Sequence, residues 1–399
     1  MYTLRTYIKE KSLSILRNSR WTNIIWYCVP LLATLTKALR LSSRNNYLIY
    51  KGVLNHTLEK LNLYNYYPSE YFDKNHYGIV FSVLIWPFTF LPDVLGALLY
   101  QALQLWGLQY VIRKLPMDAF RQNILLFYLI FEAIANGQNL QTNTFIAFVM
   151  MGAFVWIENK EEGKAVFVTL LGTFIKIYGI VAAGLFFFVK NKWNYIRYGI
   201  LSAAVLFLLP LLITNLDFII QSYKDWYTEL VIKNNANLNA DNPYQNLSAI
   251  GLITRIAKPV MIPMTLIVIP AVILQLAPLV RFKNYSDIHF RLTFLSSLML
   301  FIILYSTSTE ASTHIIGAAG VGIWWLTKDQ PFTNALLWFM LFVLILGTLS
   351  TTDLMPDYIN MHFIRKYSLK ALPYWMVWFA CIYTMITKDY QTESIPVTS

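Results

Sequence analysis

Charged side chains are scarce: Asp, Glu, Lys and Arg make up 13% of the 399 residues, against 57% hydrophobic ones. Mean hydropathy is +0.48. So few charges cannot solvate the surface of a soluble globule of this length, which excludes that class. Cysteine is nearly absent. Cys28 and Cys381 are the two in the chain, each inside an apolar stretch, so they read as small packing residues rather than a disulfide or a metal pair. CxxC, HExxH, a Walker loop and GxGxxG are all missing, as is any pattern of a cleavable signal peptide. No low-complexity linker or clean internal repeat is present, which argues against a transporter built from inverted repeats.

What is present is apolar sequence. Stretches rich enough for lipid recur from Ile24–Leu39 through Gly78–Pro92 and Val94–Ile112 to Ala371–Ile386, bounded by charges or by Pro, Asn and Gly. They predict an all-α, polytopic transmembrane protein of about 10–12 spans, forming a single domain over residues 1–399. Several stretches fall short of the ~20 residues that cross a hydrocarbon core, which suggests polar-capped helices around a cavity.

Arg5, Lys9, Lys11, Arg17 and Arg20 precede the first span, so residues 1–20 are expected in the cytoplasm. Their alternation with Leu4, Ile8, Leu13 and Leu16 also suits a helix lying on anionic lipid. The formal net charge of +11 is then a topology signal, and nucleic acid is not an expected partner. Counting onward puts outside the first loop (41–77), a second large loop (215–259), the YSTSTEASTH turn and the stretch from Ser350 to Lys370. One group disagrees: Arg113, Lys114 and Arg121 would also fall outside.

Polar residues at span ends require reasons. Lys176, in GTFIKIYGI, either meets a phosphate or snorkels from the end of a half-span. The amide run Asn136 to Asn143, with Gln138 and Asn139, can bind sugar hydroxyls or a phosphate, or can simply cap helices. SEYFDKNHYG places Glu70, Asp73 and His76 in one short loop at the water boundary, where they could act as base, metal ligand or phosphate contact. Glu310 and His314 stand four apart in YSTSTEASTH, either polarising a phosphate-linked donor or favouring a helix N-terminus. Trp226, Tyr227, Tyr244 and Asn246 suit carbohydrate faces and hydroxyls, or an interfacial belt.

Taken in order, NNYLIYKGV, NLY, YFDKNHYGIVFSVLIWPFTFLP, GQNLQTN, LGTFIKIYGI, NLSAIGLITR and STSTEASTH resemble glycosyltransferase family 87. These are polyprenol-phosphate-mannose-dependent mannosyltransferase-like membrane enzymes, and the resemblance runs from about Asn45 to His314. It implies a C-superfamily glycosyltransferase fold in a bacterial inner membrane, with a first extracytoplasmic loop carrying the acid that deprotonates the acceptor. The implied partners are a polyprenyl-phosphate-linked sugar, a glycan or lipid acceptor and the membrane lipids. Matched to the family's positions, Lys176, Arg255 and His314 are donor phosphate-binding, with His76 beside them. Asn46, Tyr50, Gln138 and Asn139 fall on substrate-binding positions.

The chain departs from the family at one point. Where the family pattern has an aspartate about four residues before a tyrosine, Asn46 precedes Tyr50, and an amide cannot serve as a general base. Asp73 is the first replacement, Glu310 the second and Glu70 the third. No cofactor is expected; a divalent cation stays open, because these acids are hard oxygen ligands that do not by themselves define a site. Two other readings arise from the same residues: a transporter or flippase of a lipid-linked or small polar substrate, and a catalytically silent subunit of envelope-glycan assembly.

Overall fold

The computed structural model describes residues 16–40, 43–239 and 242–390. Arg5, Lys9 and Lys11, and with them most of the expected interfacial helix, lie outside the described residues. So do the first two residues of the 41–77 loop and residues 240 and 241 of the 215–259 loop. The described residues are helical, with no strand among them.

By packing, the described residues fall into two compact units. One holds the described residues up to Ala183 together with Lys190–Asn239; the other holds Gly184–Val189 and the described residues from 242 onward.

In the first unit, α1 (Ser19–Ala38) is started by Asn18, whose side chain accepts the Arg20 N–H. Next come α2 (Asn45–Glu59), α3 (Val80–Thr89), α4 (Asp93–Ile112) and α5 (Ala119–Gln138), the last capped by Asp118. Then come α6 (Asn143–Glu158), α7 (Glu162–Ile175), a 3-10 run (Ile177–Phe188), α8 (Lys192–Leu208) and α9 (Leu216–Asn239). The 215–259 loop is thus largely a 24-residue helix rather than irregular chain.

The segment expected to cross the membrane at Gly78–Pro92 is a ten-residue helix, about 15 Å long and half a hydrocarbon core. It folds back on α2, with the Tyr47 hydroxyl donating to the Phe88 carbonyl at 2.8 Å. The fold-back reverses the direction of α4 and α5. Trp26 of α1 donates to the Leu105 carbonyl of α4, and the Asn23 side chain accepts from Gln109 and Arg113. The two helices are therefore antiparallel, and Arg113 lies beside the start of α1. The Asn123 amide donates to the Leu16 carbonyl, so α5 starts at that same end, and Arg121 with it. With this segment folded back on α2, Arg113 and Arg121 lie at the end where α1 starts, which is the end the charge count requires.

The second unit comprises α10 (Ala249–Ile256), α11 (Met264–Leu276), α12 (Ile288–Leu304), α13 (His314–Leu326), α14 (Asn334–Phe342, continued as a π-helix to Thr348) and α15 (Ala371–Thr387). Gln275 bridges Ser297 and the indole of Trp378, satisfying buried polar groups inside an apolar bundle.

Among the described residues two helical stretches, Lys192–Leu212 and Asn334–Thr351, are long and apolar enough to cross a membrane, and seven shorter helices are also apolar. On α8, Ile200 and Leu201 are 69% and 60% exposed; water would penalise such a face and lipid would not. Cys381 is buried as expected, but Cys28 is exposed on α1, so it packs against no interior.

Candidate functional site

The first unit gathers nine of the sequence-predicted residues at the end of the bundle that carries the first loop. Tyr50 is fully buried there. Its hydroxyl donates to the Leu140 carbonyl at 2.6 Å and lies 3.2 Å from that of Tyr77, while its ring packs edge-on against Tyr77, Phe81 and Tyr100. The Asn46 side chain donates to the Asn139 carbonyl at 2.6 Å. Asn46, Tyr50, Gln138 and Asn139 thus form one junction between α2 and the amide break after α5. Its bonds run mainly to backbone, which fixes the shape of the break and leaves the exposed Asn139 side chain at its rim.

Lys176 stands where α7 stops. Its backbone turns extended, and its ammonium donates to Asn143 Oδ1 at 2.7 Å and lies 4.8 Å from the Tyr178 ring centre. The apolar stretch is therefore two helical pieces with a half-buried cation at the joint. The Gly78 N–H donates to the Ile175 carbonyl at 3.1 Å; a Cβ on Gly78 would fall 2.2 Å from the Phe174 carbonyl oxygen, so only glycine allows this close approach.

Beside the joint, a cleft of about 230 Å³ is lined by Phe81, Phe88, Tyr100, Phe145, Phe148 and Ile175 among others. It is almost wholly apolar except for Gln104, and Leu103 and Trp106 on its wall are exposed.

The loop acids differ in their surroundings. Asp73 is exposed, and its carboxylate accepts the Lys74 backbone N–H at 2.8 Å. Glu70 is exposed too and meets the buried His56 at 3.2 Å. Glu229 of α9 is only 5% exposed; it lies 3.4 Å from both Lys74 Nζ and His76 Nδ1. Burial alone would raise its pKa, but the hydrogen bond and charge of His76, with the charge of Lys74, outweigh this and hold it below the usual carboxylate value. Trp226, one turn earlier on α9, donates to the His76 carbonyl at 2.9 Å. Trp226 is buried rather than presented to a ligand.

Sequence reasoning missed Glu229, although it lies within DWYTEL: the Trp of that motif drew attention and its acid did not. It also missed Asp93, which pairs with Arg44 at 3.3 Å and Lys51 at 2.7 Å. A lone acid after Pro92, between two apolar stretches, was the available signal.

The second unit gathers the other five. Glu310 caps the turn that opens α13, forming a reciprocal capping box with Thr313, and its carboxylate accepts from Gln245 at 2.9 Å. His314 is fully buried, with Nδ1 3.0 Å from the Glu310 carbonyl. The Arg255 guanidinium donates to the carbonyls of Asn242, Gln245 and Arg365 and to the Ser368 hydroxyl, so it closes a loop. Asn246 is buried with φ of 53°, and the exposed Tyr244 ring lies 4.6 Å from the Arg365 guanidinium carbon. Among the described residues no group of three or more His, Cys, Asp or Glu side chains could hold a metal ion.

The family model for glycosyltransferase family 87 matches residues 75–307. The match takes in His76, Gln138, Asn139, Lys176, Trp226, Glu229, Tyr244, Asn246 and Arg255, and leaves Asp73 and Glu310 just beyond its ends. A comparison with curated proteins gives no match.

Proposed function

Since the chain belongs to glycosyltransferase family 87, we propose that it moves a sugar, mannose being the first to test, from a polyprenyl phosphate to an extracytoplasmic glycan or lipid acceptor. The observation that carries this reading is the apolar aromatic cleft reaching Ile175, whose chain neighbour is the half-buried cation Lys176. A donor with an isoprenoid tail and one phosphate needs that sequence of environments: apolar walls for the tail, then a cation for the headgroup.

In this reading the first-loop end of the bundle faces outward in the bacterial inner membrane. Two basic segments support it: Arg113 to Arg121 and Lys190 to Arg197 come after helical stretches that end away from the first loop.

Asp73 takes the proton as the acceptor oxygen attacks the anomeric carbon. The bond from that carbon to the phosphate oxygen breaks, and Lys176 stabilises the departing phosphate. Asp73 suits the role because its carboxylate is exposed and held by a single backbone N–H, whereas Glu229 is committed to Lys74 and His76. Glu310 and Glu70 are the second and third candidates. The amide break, with Gln138 and Asn139, contacts the sugar, and Tyr244 offers an exposed aromatic face to a glycan.

One observation favours a second reading. The Asn46 amide is engaged by a carbonyl at the position where the family has its acid, as expected of a catalytically silent assembly subunit. A transfer assay with purified protein in nanodiscs, radiolabelled polyprenyl-phosphate sugars and a host glycan extract separates the two. Label entering acceptor, and lost in Asp73→Asn, supports the transferase; saturable donor binding without transfer supports the silent subunit or a transporter.

A further inference from the structure

At the end of the second unit away from Glu310, α12, α13, α15 and the turn after α13 enclose a pocket of about 500 Å³. It is unlike the apolar cleft of the first unit. Trp324, Lys328, Asp329, Lys388 and His289 line it together with threonine hydroxyls, and nothing in the proposed transfer uses it.

Two of these side chains lack the partner their chemistry requires. Trp324 is 7% exposed, and its indole N–H has no acceptor among the described residues. A buried donor left unmet costs about 1–3 kcal/mol. Lys328 lies over the same indole, its ammonium 4.3 Å from the ring centre. The carboxylate within reach of this group, Asp329, forms its ion pair with Lys388 at 3.7 Å. Burial pulls the Lys328 pKa below the ordinary ammonium value and Lys388 adds to this, while the nearby Asp329 carboxylate only partly offsets it. Water could meet the N–H, but an anion meets both the N–H and the half-buried ammonium beside it.

The surroundings indicate which anion. The pocket wall includes Thr333 and Leu336 at the start of α14. The next positions on that helix, Leu337, Trp338 and Leu341, are 41%, 71% and 41% exposed. An apolar exposed helix face runs directly from a pocket that holds Lys328 and Lys388, with Arg281, which donates to the Lys388 carbonyl and pairs with Asp389, at the same end of the unit. Acyl chains fit the first and a phosphate headgroup the second.

We infer that this pocket binds the phosphate of an anionic phospholipid, held by Lys328 and the Trp324 N–H, with the acyl chains along α14.

The test uses the full chain, purified in detergent and offered vesicles of phosphatidylglycerol or of phosphatidylcholine, with bound lipid read by native mass spectrometry. Inorganic phosphate is titrated in a separate arm. Wild type is expected to retain phosphatidylglycerol in preference to phosphatidylcholine. Lys328→Gln is expected to weaken that retention by about tenfold or more, as for loss of one charge-assisted hydrogen bond. Trp324→Phe keeps the ring under the ammonium but removes the donor, and is expected to weaken it several-fold. If Lys328→Gln does not fold, Trp324→Phe carries the test. Phosphate binding that depends on these residues without lipid preference keeps the anion site but makes free phosphate its source. If folded variants match wild type with both ligands, the inference is overturned.

Discussion

His76 of the first loop and Glu229 of α9 meet at 3.4 Å, and Trp226, a turn before Glu229, donates to the His76 carbonyl at 2.9 Å. This pins the loop carrying Asp73 to α9 through one side-chain and one backbone contact of His76. Glu229→Gln is expected to loosen the loop by about 1–2 kcal/mol, the partial exposure of Lys74 screening the remainder. Faster hydrogen exchange across residues 70–78, with the α1 to α5 core unchanged, is the measurement.

The same carboxylate sets an acid limit. Its pKa is depressed in the folded protein, so its stabilisation is fully present above the ordinary glutamate value of about 4.3 and is lost as pH falls through the lower folded value. Thermal unfolding of wild type is therefore expected to drop on acidification below about pH 4.3, and the drop should be smaller in Glu229→Gln. Equal acid sensitivity of the two proteins would refute the assignment.

Asp73→Asn is expected to reduce transfer by about 10²–10⁴-fold, the range for loss of a general base. Folding should be unaffected, because the side chain is exposed and accepts one local N–H. A rate profile and a thermal melt measured on the same preparation check both halves.

Lys176 and Arg255 were grouped by sequence as phosphate ligands, yet their surroundings differ. Lys176→Gln is expected to raise the donor KM by about tenfold with little change in the melt. Arg255→Lys removes a guanidinium fork that joins Asn242, Gln245, Arg365 and Ser368, so it is expected to lower the apparent Tm first. The opposite pattern would exchange their roles.

Labelling of single cysteines tests the orientation. In a Cys28→Ser background, since Cys28 is exposed, Ser69→Cys should react with an impermeant maleimide on intact cells. Arg121→Cys should react only after permeabilisation. Labelling of both from one side would reject the antiparallel course of α1 and α4 as a transmembrane one.

Composition alone fixes the class. Thirteen per cent charge and apolar stretches along the whole length leave helices in lipid as the workable solution, because helices satisfy their own backbone groups. The sequence also located the amide break, the cation at Lys176 and the acids of the first loop, since a polar group bordering an apolar stretch is visible without coordinates. Tertiary structure alone decided whether a stretch crosses or folds back. Hydropathy reads Gly78–Pro92 as a span, whereas the folded chain makes it a ten-residue helix packed on α2, which puts Arg113 and Arg121 at the end where α1 starts. Tertiary structure also decided partners. Glu229 reaches His76 and Lys74 across a long separation in sequence, and Arg255 spends its donors on backbone carbonyls that no local pattern announces. Periodicity and composition act over neighbouring residues, whereas a charge takes its role from whichever side chains the folded chain places within about 4 Å of it.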